Sequence, residues 1–218
     1  MNGTKVNGLL ISAGLSGRMG EFKPLMQFNR EPFVTGITRK LVSFCEKVVI
    51  VTGFQNEKVE ALIDSQFSIT RLDSTRLIES ERVNSQFPNK VTCVYNPNYT
   101  KGMFTSLKAG IEQLKNSEWV LYHFVDQPFF TNEFYKKMVS QANDGFDWVQ
   151  PVYDDKEGHP VMFNKKVIDM IAESPLDSNL RMIRDLPVIR KNYWNCDCPE
   201  VLVDFDTKED LKRFDSNQ

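Results

Sequence analysis

Apolar runs of strand length alternate with segments of helical periodicity along most of this chain. Residues 6–12, 47–52 and 119–125 are nearly continuous apolar stretches that lead into a glycine-containing loop or an aspartate. Such runs are typical of strands buried on both faces of a parallel sheet. The segments 33–41 and 57–63 carry apolar residues at the spacing of an amphipathic helix. Strands that alternate with helices require right-handed crossovers, so the pattern predicts an α/β fold with a mostly parallel sheet.

The rest of the chain continues this alternation. Thr131 is a candidate N-cap for a helix that carries Phe134, Met138 and Ala142, and a polar turn at 154–158 joins two strands. The remaining predictions are strands at 91–95, 148–153, 160–163 and 201–205, helices at about 106–115 and 165–173, a short amphipathic piece at 180–186, and a last helix that a capping box of Thr207 and Asp210 opens.

The domain organisation follows from continuity of the pattern. A length of 218 residues allows one large domain or two small ones, and no internal repeat or linker divides the chain. The segment 65–90 is polar, poorly periodic and rich in Ser, Arg and Glu. We interpret it as a variable excursion on the surface with a short helix near Leu77. We therefore predict a single domain over residues 1–218.

The charge balance limits the partners of the chain. With 27 Lys and Arg against 29 Asp and Glu, the formal net charge is −2, which disfavours a nucleic-acid binder that relies on a broad basic surface. No apolar run approaches the ~20 residues that a membrane-spanning helix needs. The N-terminus lacks a basic segment followed by a long apolar stretch. The sequence therefore predicts a soluble cytoplasmic protein with neither nucleic acid nor membrane as a partner.

Cysteine usage gives little functional signal. Cys45 and Cys93 sit in apolar surroundings, whereas Cys196 and Cys198 form a C-x-C in a segment rich in Asn and Asp. A C-x-C without a second cysteine pair or a nearby histidine is a weak zinc signal. Free thiols in a reducing compartment are the interpretation that we favour.

The loop after the first strand is the candidate phosphate-binding site. Residues 10–23 read LISAGLSGRMGEFK, a strand end followed by small residues and then by Arg18 and Lys23. Small residues let backbone N–H groups approach an anion closely, and two fixed cations add positive charge for a polyphosphate. In an open α/β sheet, ligands bind at the carboxyl ends of the strands.

Three common motifs do not fit this loop. The P-loop pattern requires a glycine where Met19 stands, and the dinucleotide fingerprint requires one where Ser16 stands. A nucleophile elbow would need a glycine at Arg18. The chain has only two histidines, His123 and His159, so few residues could serve as the catalytic histidine of a Ser-His-Asp hydrolase.

The loop does resemble the signature of the MobA-like family of molybdopterin-type nucleotidyltransferases, which reads roughly L-x-A-G-x-S-x-R-M-G-x-x-K-x-L. The residues in register are Leu10, Ala13, Gly14, Ser16, Arg18, Met19, Gly20, Lys23 and Leu25. Four more segments are similar to family motifs in the same order: G-M-x-x-S-L at 102–107, D-Q-P at 126–128, G-H-P-V-x-F at 158–163 and D-x-D-T-x-E-D-L at 204–211. The departures are Ser12, Val125, Lys208 and the 65–90 segment.

The resemblance implies a Rossmann-like, three-layer α/β/α fold of the nucleotide-diphospho-sugar transferase type. It also implies transfer of a nucleoside monophosphate from an NTP onto an acceptor phosphate, with release of pyrophosphate. Arg18 would hold the triphosphate, and Lys23 would stabilise charge that builds on the α-phosphate and the leaving pyrophosphate. The other residues expected at the nucleotide are Ser12, Ala13, Gly14, Ser16, Gly102 and Ser106, the last two at a helix start.

Asp126 is the expected magnesium ligand. It follows a strongly apolar strand, where a carboxylate has no packing role, and a hard cation takes oxygen ligands. Asp206 is the candidate second ligand, with Asp204 in reserve because alternation along the last predicted strand puts both on one face. The alternatives are an Asp126 that caps a turn and an Asp206 that is the N-cap of the final helix. The expected cofactor is therefore Mg²⁺.

The acceptor side of the site is expected, by the same resemblance, at Gln127, Gly158 and His159. A ring N–H of His159 could donate to the acceptor, although a lone histidine in a strand is more commonly structural. His123 lies inside a predicted strand and is expected in the core.

The turn of Ser12, Ala13 and Gly14 is closer to the A-A-G of cytidylyl enzymes than to the A-G-G of guanylyl ones, which favours CTP over GTP. The expected partners are an NTP and a phosphorylated small-molecule acceptor, with molybdopterin favoured and a molybdoenzyme as a candidate recipient. Two alternatives stay open. One is a cytidylyltransferase for a sugar or alcohol phosphate, and the other is a non-catalytic protein that delivers molybdenum cofactor.

Overall fold

A ten-stranded mixed sheet forms the centre of the computed structural model, which describes residues 4–15, 22–67, 69–73, 76–79 and 90–205, with backbone alone in 69–73 and 76–79. The strands of this sheet are β1 (Val6–Ser12), β4 (Val48–Thr52), β5 (Ile69–Asp73), β6 (Arg76–Glu79), β7 (Val91–Tyr95), β8 (Trp119–Phe124), β9 (Trp148–Tyr153), β10 (Lys156–Glu157), β11 (Val161–Asn164) and β12 (Lys191–Asn195). A separate small hairpin pairs β2 (Gln27–Phe28) with β3 (Glu31–Pro32).

The order of the strands brings their carboxyl ends together. The sheet runs β10-β9-β11-β8-β1-β4-β7-β5-β6, and β12 pairs in parallel with β9. The neighbours β8, β1, β4, β7 and β5 are all parallel, whereas β11 is antiparallel to both β8 and β9. The carboxyl ends of the parallel strands therefore lie along one edge, which is the ligand-binding edge of an open α/β sheet.

Helices cover both faces of the sheet. The helices α1 (Phe33–Phe44), α2 (Asn56–Gln66) and α4 (Asn132–Val139) pack on the face that carries Leu10 and Ile50. The helices α3 (Met103–Glu112), α5 (Lys165–Glu173) and α6 (Leu180–Arg184) pack on the face that carries Leu9 and Val51. Because successive strand residues point to opposite faces, β1 and β4 must be apolar at nearly every position. The prediction of three layers around a mostly parallel sheet is confirmed.

Two helix boundaries show how local signals act. Thr131 is the N-cap of α4, and its side chain accepts a hydrogen bond from the backbone N of Phe134, as predicted. The helix ends at Val139, so Ala142 lies beyond it. The start of α3 at Met103 is three residues before the predicted position, because Gly102 supplies a conformation with φ of 115° directly before the first turn.

Several segments differ from the predictions. Residues 201–205, predicted as a strand, begin inside a 3-10 turn over Pro199–Leu202 and continue without regular structure. Proline fits a first helical turn, and the next segment is anchored by a hydrogen bond from the Phe205 backbone N to the Asp126 backbone O, 2.9 Å long. The longest unpredicted strand at the other side of the sheet is β12, whose residues are mostly polar, and the short strands β2, β3 and β10 and the pair β5 and β6 were not predicted either. Leu77 lies in β6, paired with β5, rather than in a helix.

The consequence for the predicted metal ligands is direct. Asp204 is not on a strand, so the alternation argument that placed it on the same face as Asp206 is wrong. Asp206 itself, with Thr207, Asp210 and the final helix predicted there, lies outside the described residues, as do Ser16 and Arg18.

The described part of the chain contains no helix long and apolar enough to cross a membrane. All four cysteines are free of disulfide bonds. Within the same residues, no group of three or more His, Cys, Asp or Glu side chains could hold a metal ion, so the C-x-C of Cys196 and Cys198 is not part of such a cluster.

Candidate active site

The end of β1 forms a tight turn held against the end of β4. A Cβ atom at Gly53 would lie 2.6 Å from the carbonyl oxygen of Ala13 and 2.8 Å from the side chain of Tyr99, so only glycine permits this approach. The backbone N of Phe54 also donates to the Ala13 carbonyl, at 3.4 Å. Ser12 is fully buried, and its Oγ has no hydrogen-bond partner among the described residues. The turn that was predicted to face the nucleotide is therefore fixed by its neighbour strand.

Lys23 and Asp126, 103 residues apart, form an ion pair at this edge of the sheet. Lys23 begins a 3-10 turn with Pro24, and its Nζ lies 3.3 Å from Oδ2 of Asp126. The two side chains are 13% and 27% exposed, so the pair is largely withdrawn from solvent. The structure thus brings together two of the three residues expected to be catalytic.

Asp126 is a carboxylate under opposing influences. Burial raises its pKa, the Lys23 ammonium lowers it, and the nearby carboxylate of Asp204 raises it again. Its Oδ1 is buried and has no hydrogen-bond partner among the described residues. A second carboxylate beside an unsatisfied oxygen is an arrangement that attracts a cation.

Asp204 is held in place by Gln127. Nε2 of Gln127 donates to Oδ1 of Asp204 at 2.7 Å, and Gln127 is almost completely buried. Gln127 was expected to touch the acceptor, but the contact that the structure gives it is this positioning of Asp204. Its own Oε1 has no partner among the described residues.

Two cavities meet at Asp126. The first, about 240 Å³, is lined by Ala13, Gly14, Lys23 and Ser106, and the second, about 390 Å³, is lined by groups that include Gln150, His159 and Arg184. Met103, Phe124 and Asp126 line both. Together the two spaces reach the size of an ordinary small-molecule site. The arrangement gives two ligands a common boundary at a carboxylate.

His159 lies in the second cavity. Burial lowers its pKa, and the carboxylate of Asp204 partly opposes this, so the ring is neutral near pH 7. The Nδ1 atom is buried without a partner among the described residues, and the ring packs edge-on to Phe124 at 5.1 Å. By contrast His123, as expected, is in the core, where Nε2 lies 2.8 Å from the Tyr135 hydroxyl.

Gly158 has a packing role that the sequence did not reveal. A Cβ atom there would lie 2.5 Å from the carbonyl oxygen of Val201, and Gly158 is not among the residues that line the two cavities. The absence of a side chain lets the 199–202 turn pack against the strand connection. Of the three residues expected at the acceptor, His159 is the one that lines either of these two cavities.

Arg184, Arg181 and Gln150 were missed by the sequence analysis and line the second cavity. Arg184 is oriented by two carboxylates, with Nη1 donating to Glu157 at 2.5 Å and Nε donating to Asp185 at 2.7 Å. Its Nη2 has no hydrogen-bond partner in the described part of the chain. The one available signal was a pair of arginines three residues apart in the amphipathic segment 180–186.

Comparison with known proteins identifies the family. The sequence profile of the MobA-like NTP transferase domain matches residues 8–191. The chain belongs to this family. The predicted family and the predicted class of enzyme, a nucleotidyltransferase, are thereby confirmed.

Two curated relatives lie at low identity. The molybdenum cofactor cytidylyltransferase of Escherichia coli (strain K12) is 23% identical over 208 residues, which cover 94% of this chain and 93% of that protein. The probable molybdenum cofactor guanylyltransferase of Bacillus mycoides (strain KBAB4) is 20% identical over 157 residues, which cover 71% of this chain and 65% of that protein.

Solved structures share the fold. A nucleotidyl transferase from Methanothermobacter thermautotrophicus superposes with a TM-score of 0.72 at 17% identity, over 99% of this chain and 98% of that one. A 4-diphosphocytidyl-2C-methyl-D-erythritol synthase from Anaerococcus prevotii gives a TM-score of 0.70 at 14% identity, over 99% and 96%. The predicted nucleotide-diphospho-sugar transferase-like fold is confirmed by these likenesses.

Proposed function

We propose that this MobA-like protein is a Mg²⁺-dependent cytidylyltransferase that moves CMP from CTP onto the phosphate of molybdopterin. In this reaction an oxygen of the acceptor phosphate forms a bond to the α-phosphorus of CTP, and the bond from that phosphorus to the β-phosphate oxygen breaks. Pyrophosphate leaves with the electron pair. The observation that carries the proposal is the Lys23–Asp126 pair at the boundary of the two cavities.

The nucleotide belongs in the first cavity. The turn of Ala13 and Gly14 and the start of α3 border it, and both present backbone N–H groups at the carboxyl edge of the sheet. Lys23 lines this cavity and pairs with Asp126, which lines both cavities. Its ammonium would neutralise charge that develops on the α-phosphate as pyrophosphate departs. Arg18 is proposed to hold the triphosphate.

The residues at the boundary fit a magnesium ion. Oδ1 of Asp126 is buried and unsatisfied among the described residues, and the carboxylate of Asp204 is close enough to raise the Asp126 pKa. Mg²⁺ is commonly bound by one or two carboxylates together with substrate phosphates and water, so a larger protein cluster is not needed. Asp126 and Asp204, with Asp206 as a further candidate, would hold the ion. When bound, it would supply positive charge to the phosphate oxygens.

The acceptor belongs in the second cavity. Arg184 offers Nη2 for an anionic group of the acceptor, and Glu157 and Asp185 already hold its guanidinium in place. The neutral ring of His159 can donate or accept a hydrogen bond there. With the acceptor so placed, its attacking phosphate would enter the boundary at Asp126. Molybdopterin is favoured because the D-Q-P and G-H-P segments match the molybdopterin-type motifs and the Escherichia coli relative is a molybdenum cofactor cytidylyltransferase.

The choice of CTP rests on Ala13. This residue lines the first cavity and keeps a methyl group where the guanylyl pattern has glycine. The relative that matches nearly the whole chain is a cytidylyltransferase, whereas the guanylyltransferase matches a shorter part.

Pyrophosphate release tests the proposal. The purified protein is incubated with each of the four NTPs, with and without Mg²⁺, against molybdenum cofactor, a sugar phosphate and an alcohol phosphate. We expect release with CTP, Mg²⁺ and the molybdenum cofactor. Turnover with only the sugar or alcohol phosphate would reassign the acceptor, and a preference for GTP would reassign the nucleotide. Binding of molybdenum cofactor without turnover of any NTP would favour a delivery protein.

A further inference from the structure

Asn96 is a buried amide that connects three elements behind the first cavity. It directly follows β7 and is 3% exposed. Its backbone N donates to the carbonyl oxygen of Thr52 at the end of β4, at 2.9 Å. Its side chain reaches the first turn of α3, where Thr105 and Ser106 lie. No part of the proposed chemistry uses this residue, so its hydrogen bonds need another explanation.

The orientation of the Asn96 amide is set by a backbone donor. The backbone N of Asn98 donates to Oδ1 of Asn96 at 2.9 Å. A backbone N–H can only donate, so the amide oxygen must face it, and a flipped amide would place two donors against each other. Nδ2 therefore faces the helix, and its two hydrogens go to the hydroxyl oxygens of Thr105 and Ser106, each at 2.9 Å.

The two hydroxyl groups differ in where their own protons go. The Thr105 hydroxyl donates within the loop, with the carbonyl oxygens of Asn98 at 2.9 Å and Gly102 at 2.8 Å as its acceptors. The Ser106 oxygen accepts from Asn96, and its proton finds no acceptor among the described residues. Ser106 also lines the first cavity, beside Lys23 and Ala13. Because the Ser106 hydroxyl oxygen accepts from Asn96, its proton is free to donate to a ligand in the first cavity.

We propose that Asn96 is a positioning residue that makes Ser106 a hydrogen-bond donor to an acceptor atom of the bound nucleotide. The proposal rests on the proposed function, because it assumes that an NTP occupies the first cavity. Asn96 does not touch the nucleotide. It acts by fixing the direction of one proton, so a ligand atom that accepts is favoured over one that donates.

Two variants remove the hydrogen bond that the Ser106 hydroxyl would donate to the nucleotide, in different ways. Ser106→Ala deletes the hydroxyl, and Asn96→Asp keeps the shape but replaces both N–H donors by a carboxylate oxygen, so the Ser106 hydroxyl turns to donate backward. We expect each variant to raise the Kd for CTP and the KM for CTP by about tenfold, with kcat changed by less than threefold. Because both changes act on one proton, the double variant should bind CTP no more weakly than Asn96→Asp alone.

Matched controls separate positioning from charge and from folding. Asn98→Asp adds the same charge to the same loop, at a side chain that makes no hydrogen bond within the described residues, and it should leave the Kd within twofold. Thr105→Val removes the other partner of Asn96 and should lower the melting temperature while leaving the Kd within twofold. If Asn96→Asp does not fold, Asn96→Ala replaces it in the comparison with Ser106→Ala, because it removes the same two N–H donors without adding a charge.

Calorimetry with each NTP and Mg²⁺, without an acceptor, gives the deciding measurement. A loss of NTP affinity that Ser106→Ala and Asn96→Asp share supports the proposal. If that loss differs among the four NTPs, the acceptor atom lies on the base, and if it is equal, the atom lies on the ribose or phosphates. Wild-type affinity in either variant would overturn the proposal. Two further outcomes would overturn the proposal. One is a fold-increase in Kd for the Asn96→Asp/Ser106→Ala double variant that equals the product of the two single increases, and the other is an increase for Thr105→Val as large as that for Ser106→Ala. A wild-type protein that binds no NTP would overturn the proposed function together with this inference.

Discussion

Asp126 and Asp147 are two carboxylates at the ends of strands of one sheet, and their surroundings are opposite. Asp147 precedes β9, is 1% exposed, and accepts hydrogen bonds from the backbone N, Nε and Nη2 of Arg190 and from side chains of Asn164 and Lys166. These donors, Arg190 foremost, hold the pKa of Asp147 well below its usual range. Asp126 follows β8 with one oxygen unsatisfied in the described structure, and burial raises its pKa.

The difference separates stability from function. At Asp147 the fold itself fills the lone pairs of the carboxylate, so the ionised form is favoured more strongly in the folded state than in the unfolded state. At Asp126 the fold withdraws a carboxylate from water and leaves an oxygen empty, which costs free energy unless a ligand supplies the missing partner. We expect variants at Asp147 to affect the free energy of unfolding and variants at Asp126 to affect turnover.

The largest effect is expected for Asp126→Asn. The amide keeps the shape but not the charge that would hold the cation, so kcat should fall about a thousandfold or more, and any residual activity should not respond to Mg²⁺. Loss of the ion pair with Lys23 and relief from burying a charge oppose each other, so the melting temperature should change little. Steady-state assays across Mg²⁺ concentrations, with thermal melting, measure both. Near-normal magnesium-dependent activity would show that Asp126 is a turn cap, since Asn caps turns as well as Asp.

Lys23→Ala should give the next largest effect on turnover. Loss of a charge partner in the transition state should lower kcat by about a hundredfold or more. Lys23 lies on a short 3-10 turn, so truncating its side chain removes the ion pair but leaves the hydrophobic layers intact. Lys115→Ala is the matched control, because its ammonium pairs at the surface with Glu112. Kinetics and melting of both variants check this expectation. Wild-type turnover in Lys23→Ala would remove Lys23 from the mechanism.

Asp147→Asn should show the reverse behaviour. We expect the free energy of unfolding at pH 7 to fall by about 2 to 3 kcal/mol, with kcat unchanged. Because the folded pKa is depressed, the wild-type contribution is complete above the unfolded pKa of about 3.9 and is lost progressively as the pH falls from there through the folded pKa. The two proteins should therefore converge in stability in acid. Denaturant titrations at pH 7 and pH 3 measure this, and a difference that does not depend on pH would contradict it.

Residues close together in sequence made much of the lining of the first cavity predictable. The apolar strand, the Ala13–Gly14 turn and Lys23 lie within one segment, and parallel strands bring Asp126 to the same edge whatever the details of the loops. Strands with both faces buried have an unmistakable apolar pattern, so their positions were nearly correct. The parts missed in this region, such as the role of Gly53, depend on which turns approach each other.

The lining of the second cavity was harder to predict because its residues are scattered along the chain. Gln150 lies inside β9, His159 precedes the antiparallel strand β11, and Arg184 ends α6, and no local motif announces that they meet. The segment 201–205 has an apolar pattern that suits a strand, but its tertiary contacts favour a turn. The strand β12 is mostly polar and pairs with β9 along its whole length, so tertiary pairing overrode a weak local signal.

The smallest expected effect concerns Ala13, which lines the first cavity as Asp126 does. Ala13 lines the first cavity, and its carbonyl oxygen accepts from the backbone N of Phe54, so the turn that carries its methyl group is held in place beside that cavity. A pyrimidine leaves more room than a purine, and Ala13→Gly should therefore shift the preference from CTP toward GTP. A contact that distinguishes bases is worth about 1 to 3 kcal/mol, so the ratio of kcat/KM for the two nucleotides should move about tenfold.

Ala142→Gly, buried away from both cavities, is the control for added backbone freedom and should leave the ratio unchanged. An unchanged ratio in Ala13→Gly would place base selection elsewhere, with the region from Gly102 to Ser106 the next to test, and a wild-type protein that prefers GTP would overturn the nucleotide assignment at its start.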